Sequence, residues 1–196
     1  DIQHFSAYSL TVESKTKLKH LIDKKIIKPL DEKVTVEHFN TLLDIASKNN
    51  FIHYEISNFG KEGCFSKHNS AYWENKHYLG IGPSAHSFNG SSRQWNIASN
   101  KQYIKKVNKD ESYFELEQLS NTQQYNEYIF TALRTIWGVE LSYVNSQFGQ
   151  QALDNFKKQI IKWENKGQIN QKEGTYTLTR NGKLFADAIA SDLFIV

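Results

Sequence analysis

His68, Asn69, Tyr72 and Trp73 are the residues of this chain whose types and spacing best suit ligand-binding chemistry. On a helix, His68 and Tyr72 would share a face because they are four residues apart. An imidazole beside aromatic rings suits a flat conjugated ligand, since the nitrogen can bind a central metal ion and the rings can cover the ligand's face. The alternative is structural: His68 caps a turn, and Tyr72 and Trp73 fill the core.

These residues belong to a longer segment, Tyr54–Ser87, that alternates aromatic and imidazole side chains with glycines. It contains three of the seven histidines, the single cysteine, Cys64, and one of the two prolines. Backbone-permissive residues of this kind are typical of loops that form a site. We therefore expect the site of this protein within this segment.

Two other motifs in the segment are weaker. The spacing of Cys64 and His68 matches half of a zinc site, but a structural zinc ion needs four ligands, so His77 or His86 and a carboxylate would have to complete it. The alternative is that Cys64 is an incidental lone thiol. The stretch from Gly80 to Ala85 superficially matches a dinucleotide-binding fingerprint, but it contains a proline and no clear helix follows. Its glycines instead predict a close approach of the backbone to a ligand or to a neighbouring strand. His86 would then point toward that site, or be a half-buried histidine without function.

Hydrophobic periodicity predicts the elements that position these residues. A strand at 4–10, an amphipathic helix from Thr35 to Lys48 and a strand at 51–56 make one β-α-β unit, which implies parallel strands. Shorter strands are predicted at 78–82 and 94–97, and a short helix follows near Lys101.

Residues 121–196 predict a mostly helical module. Ser120 and Gln123 match a capping box. Three helices follow, and each ends at a glycine: Gly138, Gly149 and Gly167. A β-hairpin then flanks Glu173 and Gly174, and Thr179 caps a last helix. Three helices, a two-stranded wing and a helix are typical of a winged-helix-like domain.

Composition excludes several classes of protein. The net charge of +3, and of +1 over residues 121–196, is too small to indicate nucleic-acid binding. One cysteine excludes an internal disulfide framework, and no apolar run is long enough to span a bilayer. We therefore expect a cytoplasmic protein, and leave peripheral membrane association open. The chain begins at Asp1 and contains no methionine, so we expect a piece of a longer protein.

Three ordered motifs resemble the oxygen-independent coproporphyrinogen III oxidase-like family. They are Tyr-Glu-Ile-Ser-Asn-Phe at 54–59, His-Asn-x-x-Tyr-Trp at 68–73 and Gly-Ile-Gly-Pro-Ser-Ala-His-Ser at 80–87. Residues 4–13 and 121–196 are similar to parts of the same family, so the resemblance covers essentially the whole chain. Within the family, the chain most resembles the radical SAM haem chaperones.

The resemblance implies a fold that is α/β and then mostly α. Residues 1–99 would be the C-terminal third of a partial (β/α) barrel, 100–120 a connection, and 121–196 the winged-helix-like C-terminal domain. The family binds S-adenosylmethionine and a [4Fe-4S] cluster on a Cys-x3-Cys-x2-Cys motif, which is absent here because Cys64 is the only cysteine. The parent would resemble a radical SAM oxidoreductase, but no residue of this chain is expected to be catalytic.

The resemblance also assigns binding residues. In the chaperones the His-Asn-x-x-Tyr-Trp motif is associated with haem, which maps onto His68, Asn69, Tyr72 and Trp73, with His68 as the iron ligand. Thr11 and His86 would line the S-adenosylmethionine pocket.

The parent would then bind haem and pass it to acceptor haem proteins. One alternative is an oxygen-independent coproporphyrinogen III oxidase, which carries out oxidative decarboxylation in porphyrin biosynthesis. The other alternative is a winged-helix module that binds nucleic acid.

Overall fold

Nine short strands and eight α-helices form in residues 2–196, which a computed structural model describes. The strands pair into three antiparallel sheets of three strands each. The chain divides into two units: the first ends at Ser66, and the second comprises Lys67–Val196. Within residues 2–196, no helix combines the length and the hydrophobicity that crossing a membrane requires.

The first unit contains one sheet and two helices. Its elements are β1 (His4–Ser6), α1 (Lys17–Asp23), α2 (Glu32–Lys48), β2 (Ile52–Glu55) and β3 (Asn58–Gly60). Both β1 and β2 pair with β3 and run antiparallel to it. The outer strands therefore run in the same direction, as a β-α-β unit requires. The predicted parallel orientation of these two strands is therefore confirmed, but they are not neighbours, because β3 lies between them.

A tight turn after β2 explains why β3 lies between the two parallel strands. The carboxylate of Glu55 accepts hydrogen bonds from the backbone N–H of Ser57 (3.0 Å) and from the side-chain amide of Asn58 (2.5 Å). The chain therefore reverses at once, and β3 enters the sheet between the other two strands. Hydrophobic periodicity does not predict this turn, because the residues that make these hydrogen bonds are polar.

Helix α2 confirms the predicted amphipathic helix and begins three residues earlier. The side chain of Asp31 caps it by accepting from the backbone N–H groups of Lys33 and Val34. Leu43 and Ala46 are buried against Phe59 of β3. This small cluster is the hydrophobic core of the first unit.

The second unit contains two sheets and six helices. Its elements are α3 (Lys67–Trp73), β4 (His86–Phe88), β5 (Ser92–Asn96), α4 (Asn100–Asn108), β6 (Phe114–Gln118), α5 (Asn121–Leu133), β7 (Val139–Glu140), α6 (Leu141–Phe148), α7 (Gln150–Glu164), β8 (Ile169–Lys172), β9 (Thr175–Leu178) and α8 (Ala186–Leu193), with a 3₁₀ turn at Gly182–Phe185. The sheets have the orders β4-β5-β6 and β7-β9-β8. The prediction of a strand near 94–97 is confirmed by β5, and the helix near Lys101 by α4.

The predicted strand at 78–82 is wrong, because Tyr78 makes only an isolated bridge to Phe88. Beyond it, the N–H of Gly80 donates to the hydroxyl of Ser87 (3.0 Å) instead of to a strand ladder. A Cβ on Gly80 would lie 2.1 Å from the carbonyl oxygen of His86. The glycine therefore permits the close backbone approach that the sequence predicted, but in a loop.

Local signals in the C-terminal half are mostly confirmed. Ser120 and Gln123 form the capping box of α5, and β8 and β9 form the predicted hairpin. The hairpin turn has positive φ at Glu173 (51°) and Gly174 (82°), as a two-residue type I′ turn requires. The prediction that Gly138 ends α5 is wrong, because the helix already ends at Leu133.

The core of the second unit lies where α5, α6, α7 and α8 meet. Its fully buried side chains are Tyr125, Ile129, Leu133, Val144, Phe156, Ile160, Ile189 and Leu193. Helix α5 is thus packed on one face against the core, and its other residues are available to form a site.

Candidate functional site

Helix α3 carries the complete His-Asn-x-x-Tyr-Trp motif. As the spacing predicts, His68 and Tyr72 share a face: their ring centres are 5.0 Å apart, and the rings are perpendicular. His68 is exposed, Asn69 is half-buried, Tyr72 is 42% exposed and Trp73 is half-buried. The imidazole is thus open to an incoming ligand rather than enclosed in a core.

A row of aromatic rings continues from α3 toward β4. Tyr72 contacts Tyr78 with ring centres 4.8 Å apart, and Tyr78 contacts Phe88 at 6.1 Å. With His68 at its start, this aromatic row runs through four rings. The angles between successive ring planes are 90°, 67° and 35°, so the row presents ring edges as well as ring faces.

A cavity of about 550 Å³ lies beside the aromatic row. It is lined by Tyr72, Trp73, Asn75, Lys76, Tyr78, Phe88, Arg93, Gln123, Asn126, Glu127, Phe130, Thr131 and Phe194. Its volume is within the range of small-molecule sites. Its lining combines six aromatic residues with seven polar or charged ones. Among the residues that the structure describes, the lining includes two of the predicted site residues but neither His68 nor Asn69.

The charged groups of the cavity are Lys76, Arg93 and Glu127, which give its lining a formal net charge of +1. A nitrogen of the Arg93 guanidinium lies 2.9 Å from the Glu127 carboxylate. The same guanidinium lies over the ring of Phe88, 6.0 Å from its centre. Arg93 is therefore held at two points, by an ion pair and by a cation–π contact.

Trp73 is held by a second arginine. The guanidinium of Arg134 lies over the rings of both Trp73 and Phe130, and these two rings line the cavity. The indole Nε1–H of Trp73 is buried and has no hydrogen-bond partner among residues 2–196. An unpaired buried donor costs free energy.

The sequence and the fold are similar to those of known proteins. A family model described as the HemN C-terminal domain matches residues 119–185. Over 191 residues the chain is 32% identical to "Heme chaperone HemW" of Bacillus subtilis (strain 168), an alignment that covers 96% of this chain and 50% of that protein. The chain belongs to the oxygen-independent coproporphyrinogen III oxidase-like family.

Two further matches agree with membership of the coproporphyrinogen III oxidase-like family. "Heme chaperone HemW" of Lactococcus lactis is 32% identical over 147 residues, which cover 75% of this chain and 38% of that protein. The solved structure of coproporphyrinogen III oxidase (HemN) from Escherichia coli, a radical SAM enzyme, matches 84% of this chain and 42% of that one, with a TM-score of 0.66. At 15% identity this match shows the fold alone. The chain spans about half the length of the curated relatives it matches.

The two residues that the family resemblance assigned to S-adenosylmethionine lie in different units. Thr11 is exposed in the coil after β1, and His86 is exposed in β4 opposite Trp95. Neither lines the cavity beside the aromatic row, as far as the structure describes the chain. Their role in an S-adenosylmethionine pocket stays a prediction.

The metal chemistry of the family does not fit this chain without further thiolates. A [4Fe-4S] cluster is normally held by several cysteines, and only Cys64 is present. In residues 2–196, no group of three or more histidine, cysteine or acidic side chains is placed to hold a metal ion. The zinc alternative for Cys64 and His68 is therefore not supported.

Sequence reasoning missed most of the cavity. The residues it did not single out for the site are Asn75, Lys76, Tyr78, Phe88, Arg93, Gln123, Asn126, Glu127, Phe130, Thr131 and Phe194. Arg93 had a weak signal, because it is an arginine that immediately precedes the strand predicted at 94–97. Phe194 had none, since only the packing of the C-terminus brings it to the cavity.

Proposed function

We propose that this chain is part of a radical SAM family haem chaperone, which binds haem at α3 and passes it to acceptor haem proteins. The observation that carries the proposal is the exposed imidazole of His68 at the start of an aromatic row that borders a cavity of about 550 Å³. The relatives in Bacillus subtilis and Lactococcus lactis are named haem chaperones, which agrees with this function.

His68 would bind the haem iron. Neutral imidazole is a strong iron ligand, and an exposed ligand permits release to an acceptor as well as uptake. Tyr72 and Trp73 would cover a face of the macrocycle, and burying apolar surface on them is favourable by about 25 cal/mol per Å². Asn69 would orient its neighbours by hydrogen bonding, as groups next to metal ligands commonly do.

The parent protein would bind a [4Fe-4S] cluster and S-adenosylmethionine, the latter with help from Thr11 and His86. These groups would supply radical chemistry when bound. Because the chain itself has one cysteine, we assign none of its residues a catalytic role. Binding and orientation of haem are the functions proposed for its own side chains.

The domain boundaries are part of the proposal. Residues 1–99 would belong to the (β/α) barrel of the parent, 100–120 would connect, and 121–196 would be a winged-helix-like domain. The sheet order β7-β9-β8, with a hairpin between α7 and α8, supports the last assignment. The net charge of +1 over residues 121–196 argues against nucleic acid as its partner. We expect the protein to act in the cytoplasm.

A coproporphyrinogen III oxidase is the second candidate, because the solved structure that matches the fold is such an enzyme. The family resemblance associates the His-Asn-x-x-Tyr-Trp motif with the chaperones rather than with the oxidases. Porphyrin product formed anaerobically from coproporphyrinogen by the parent protein would favour the oxidase.

Titration of the chain with hemin, followed by Soret absorbance, tests the haem site. We expect wild-type protein to shift the Soret band, and His68→Ala to lose that shift and at least about tenfold in affinity, which corresponds to about 1.4 kcal/mol. His86→Ala is the matched control, because His86 is also an exposed histidine. Unchanged spectrum and affinity in His68→Ala, with circular dichroism equal to wild type, would overturn the assignment.

A further inference from the structure

The lining of the cavity beside the aromatic row contains more than apolar walls. Lys76 and Arg93 are cationic, and Asn75 carries a side-chain amide. The amides of Gln123 and Asn126 already make hydrogen bonds within the chain. A planar hydrocarbon would need none of these groups. A planar aromatic molecule with acidic substituents would use both parts of the lining.

Arg93 is the cation best prepared to bind an acid. Its guanidinium is fixed by Glu127 at 2.9 Å and by the ring of Phe88, whereas Lys76 is exposed and pairs with the neighbouring Glu74. An arginine offers five N–H donors in a planar fork that matches a carboxylate. One contact to Glu127 leaves donors for a second carboxylate.

The ion pair with Glu127 does not cancel this capacity. Both side chains are partly exposed, 35% for Arg93 and 26% for Glu127, so solvent screens the pair. Lys76 keeps the net charge of the lining positive. Glu127 therefore positions the guanidinium of Arg93, but its negative charge also repels an anionic ligand and weakens its binding.

The aromatic row connects this arginine to the histidine of α3. The ring centres from His68 through Tyr72 and Tyr78 to Phe88 are separated by 5.0, 4.8 and 6.1 Å, and Arg93 lies over the last ring.

We propose that Arg93 binds a carboxylate of a planar, acid-bearing tetrapyrrole in the cavity lined by Tyr78, Phe88 and Phe130. The inference rests on the proposed function, because it names how the ligand of that site is recognised at the side away from the iron ligand. Arg93 then determines that the ligand is an acid, and the aromatic walls determine that it is flat.

The test uses three probes with the 196-residue chain: hemin, metal-free protoporphyrin IX and hemin dimethyl ester. The metal-free probe reports on the cavity without iron ligation, and the ester lacks the acids. The variants are Arg93→Gln, Glu127→Gln and, as a matched control, Arg180→Gln, since Arg180 does not belong to the cavity lining as described. Both Arg93→Gln and Glu127→Gln break the same ion pair, so a loss of fold would affect them alike.

We expect Arg93→Gln to weaken the binding of hemin and protoporphyrin IX about tenfold, as loss of one charge-assisted contact does. Its affinity for the dimethyl ester should equal that of wild type. Glu127→Gln should bind both acids more tightly, because it removes the opposing charge. Arg180→Gln should bind all three probes like wild type.

Equal affinities of Arg93→Gln and Arg180→Gln for protoporphyrin IX would overturn the proposal. It would also be overturned if Arg93→Gln lost as much affinity for hemin dimethyl ester as for hemin. The proposed function fails separately. His68→Ala could keep the wild-type hemin spectrum while Arg93→Gln binds protoporphyrin IX more weakly. In that case the assignment of His68 as the iron ligand is wrong, and the assignment of Arg93 as the acid-binding residue is kept.

Discussion

The guanidinium carbon of Arg134 lies 5.6 Å from the centre of the Trp73 ring. The same carbon is 5.1 Å from the centre of the Phe130 ring, and Nη1 is 2.7 Å from the carboxylate of Asp187. Trp73 and Phe130 come from α3 and α5, and both line the cavity. One arginine thus holds two walls of the candidate site that are far apart in the sequence.

Replacing Arg134 by glutamine should destabilise the second unit and disturb the cavity. The side chain is only 19% exposed and contacts two aromatic rings, so we expect a loss of about 1 kcal/mol in the free energy of unfolding. Urea denaturation measures this loss, and protoporphyrin IX affinity should fall in parallel. Asp187→Asn is the control: Asp187 is 80% exposed, so its ion pair contributes little. Equal losses in the two variants would show that the ion pair matters rather than the ring contacts.

Gly138→Ala should be strongly destabilising. The residue has φ of +70°, and a Cβ there would lie 2.3 Å from the carbonyl oxygen of Tyr176. Because β7 and β9 pair at this point, backbone would have to move, and we expect a loss of more than about 2 kcal/mol. Chemical denaturation provides the measurement.

Gly174→Ala is the matched control for that substitution. Gly174 has φ of +82°, but a Cβ there meets nothing within 4 Å. Gly174→Ala should therefore lower the free energy of unfolding by only about 1 kcal/mol, the cost of placing an alanine at positive φ. A loss at Gly174 as large as at Gly138 would contradict the steric explanation.

Two tyrosines of α5 should make the fold sensitive to alkali. Burial raises the pKa of Tyr125 and of Tyr128 from 10.0 to about 12. In the unfolded chain both hydroxyls ionise near 10, so the unfolded state releases protons first. The stability that they contribute is fully present below pH 10 and is lost as the pH rises through about 12.

In Tyr125→Phe, the free energy of unfolding should therefore decrease less between pH 10 and 12 than it does in wild type. The variant should also be less stable overall, because it loses the hydrogen bond that the hydroxyl donates to the carbonyl of Leu193 (3.1 Å). Denaturation across that pH range and tyrosinate absorbance measure the two effects. Tyr8→Phe, at a position that is 76% exposed, should leave the alkaline profile as it is in wild type. An unchanged slope in Tyr125→Phe would refute the linkage.

Anaerobic reconstitution of this chain with iron and sulfide should not produce a [4Fe-4S] cluster. A cubane cluster needs several thiolates, and Cys64 supplies one. Iron and sulfide analysis and the charge-transfer absorbance give the measurement. About four irons per chain with that absorbance, retained after Cys64→Ser, would require ligands of another kind.

Local chemistry made much of this structure predictable. Ser120 and Gln123 are three residues apart and satisfy each other's backbone N–H groups, so a capping box is visible in the sequence. The positive φ at Glu173 and Gly174 is likewise a property of the two residues and their turn. Helix α3 positions His68 against Tyr72 through its own periodicity. Each of these features involves residues within about one helical turn of each other.

The insertion of β3 between β1 and β2 could not be predicted in the same way. Hydrophobic alternation identifies a strand but not its neighbour, and three residues at Asn58–Gly60 are too few for a pattern. The hydrogen bonds of Glu55 to Ser57 and Asn58 decide the reversal.

The cavity depended on tertiary structure alone. Tyr72, Arg93, Phe130 and Phe194 come from a helix, a strand, a second helix and the C-terminus, and no periodicity relates them. The residue types at α3 already indicated a flat ligand and a metal-binding imidazole. Packing decided which cations, carboxylates and rings line the cavity. Burial of one side of α5 in the core determines which side of that helix remains to line it.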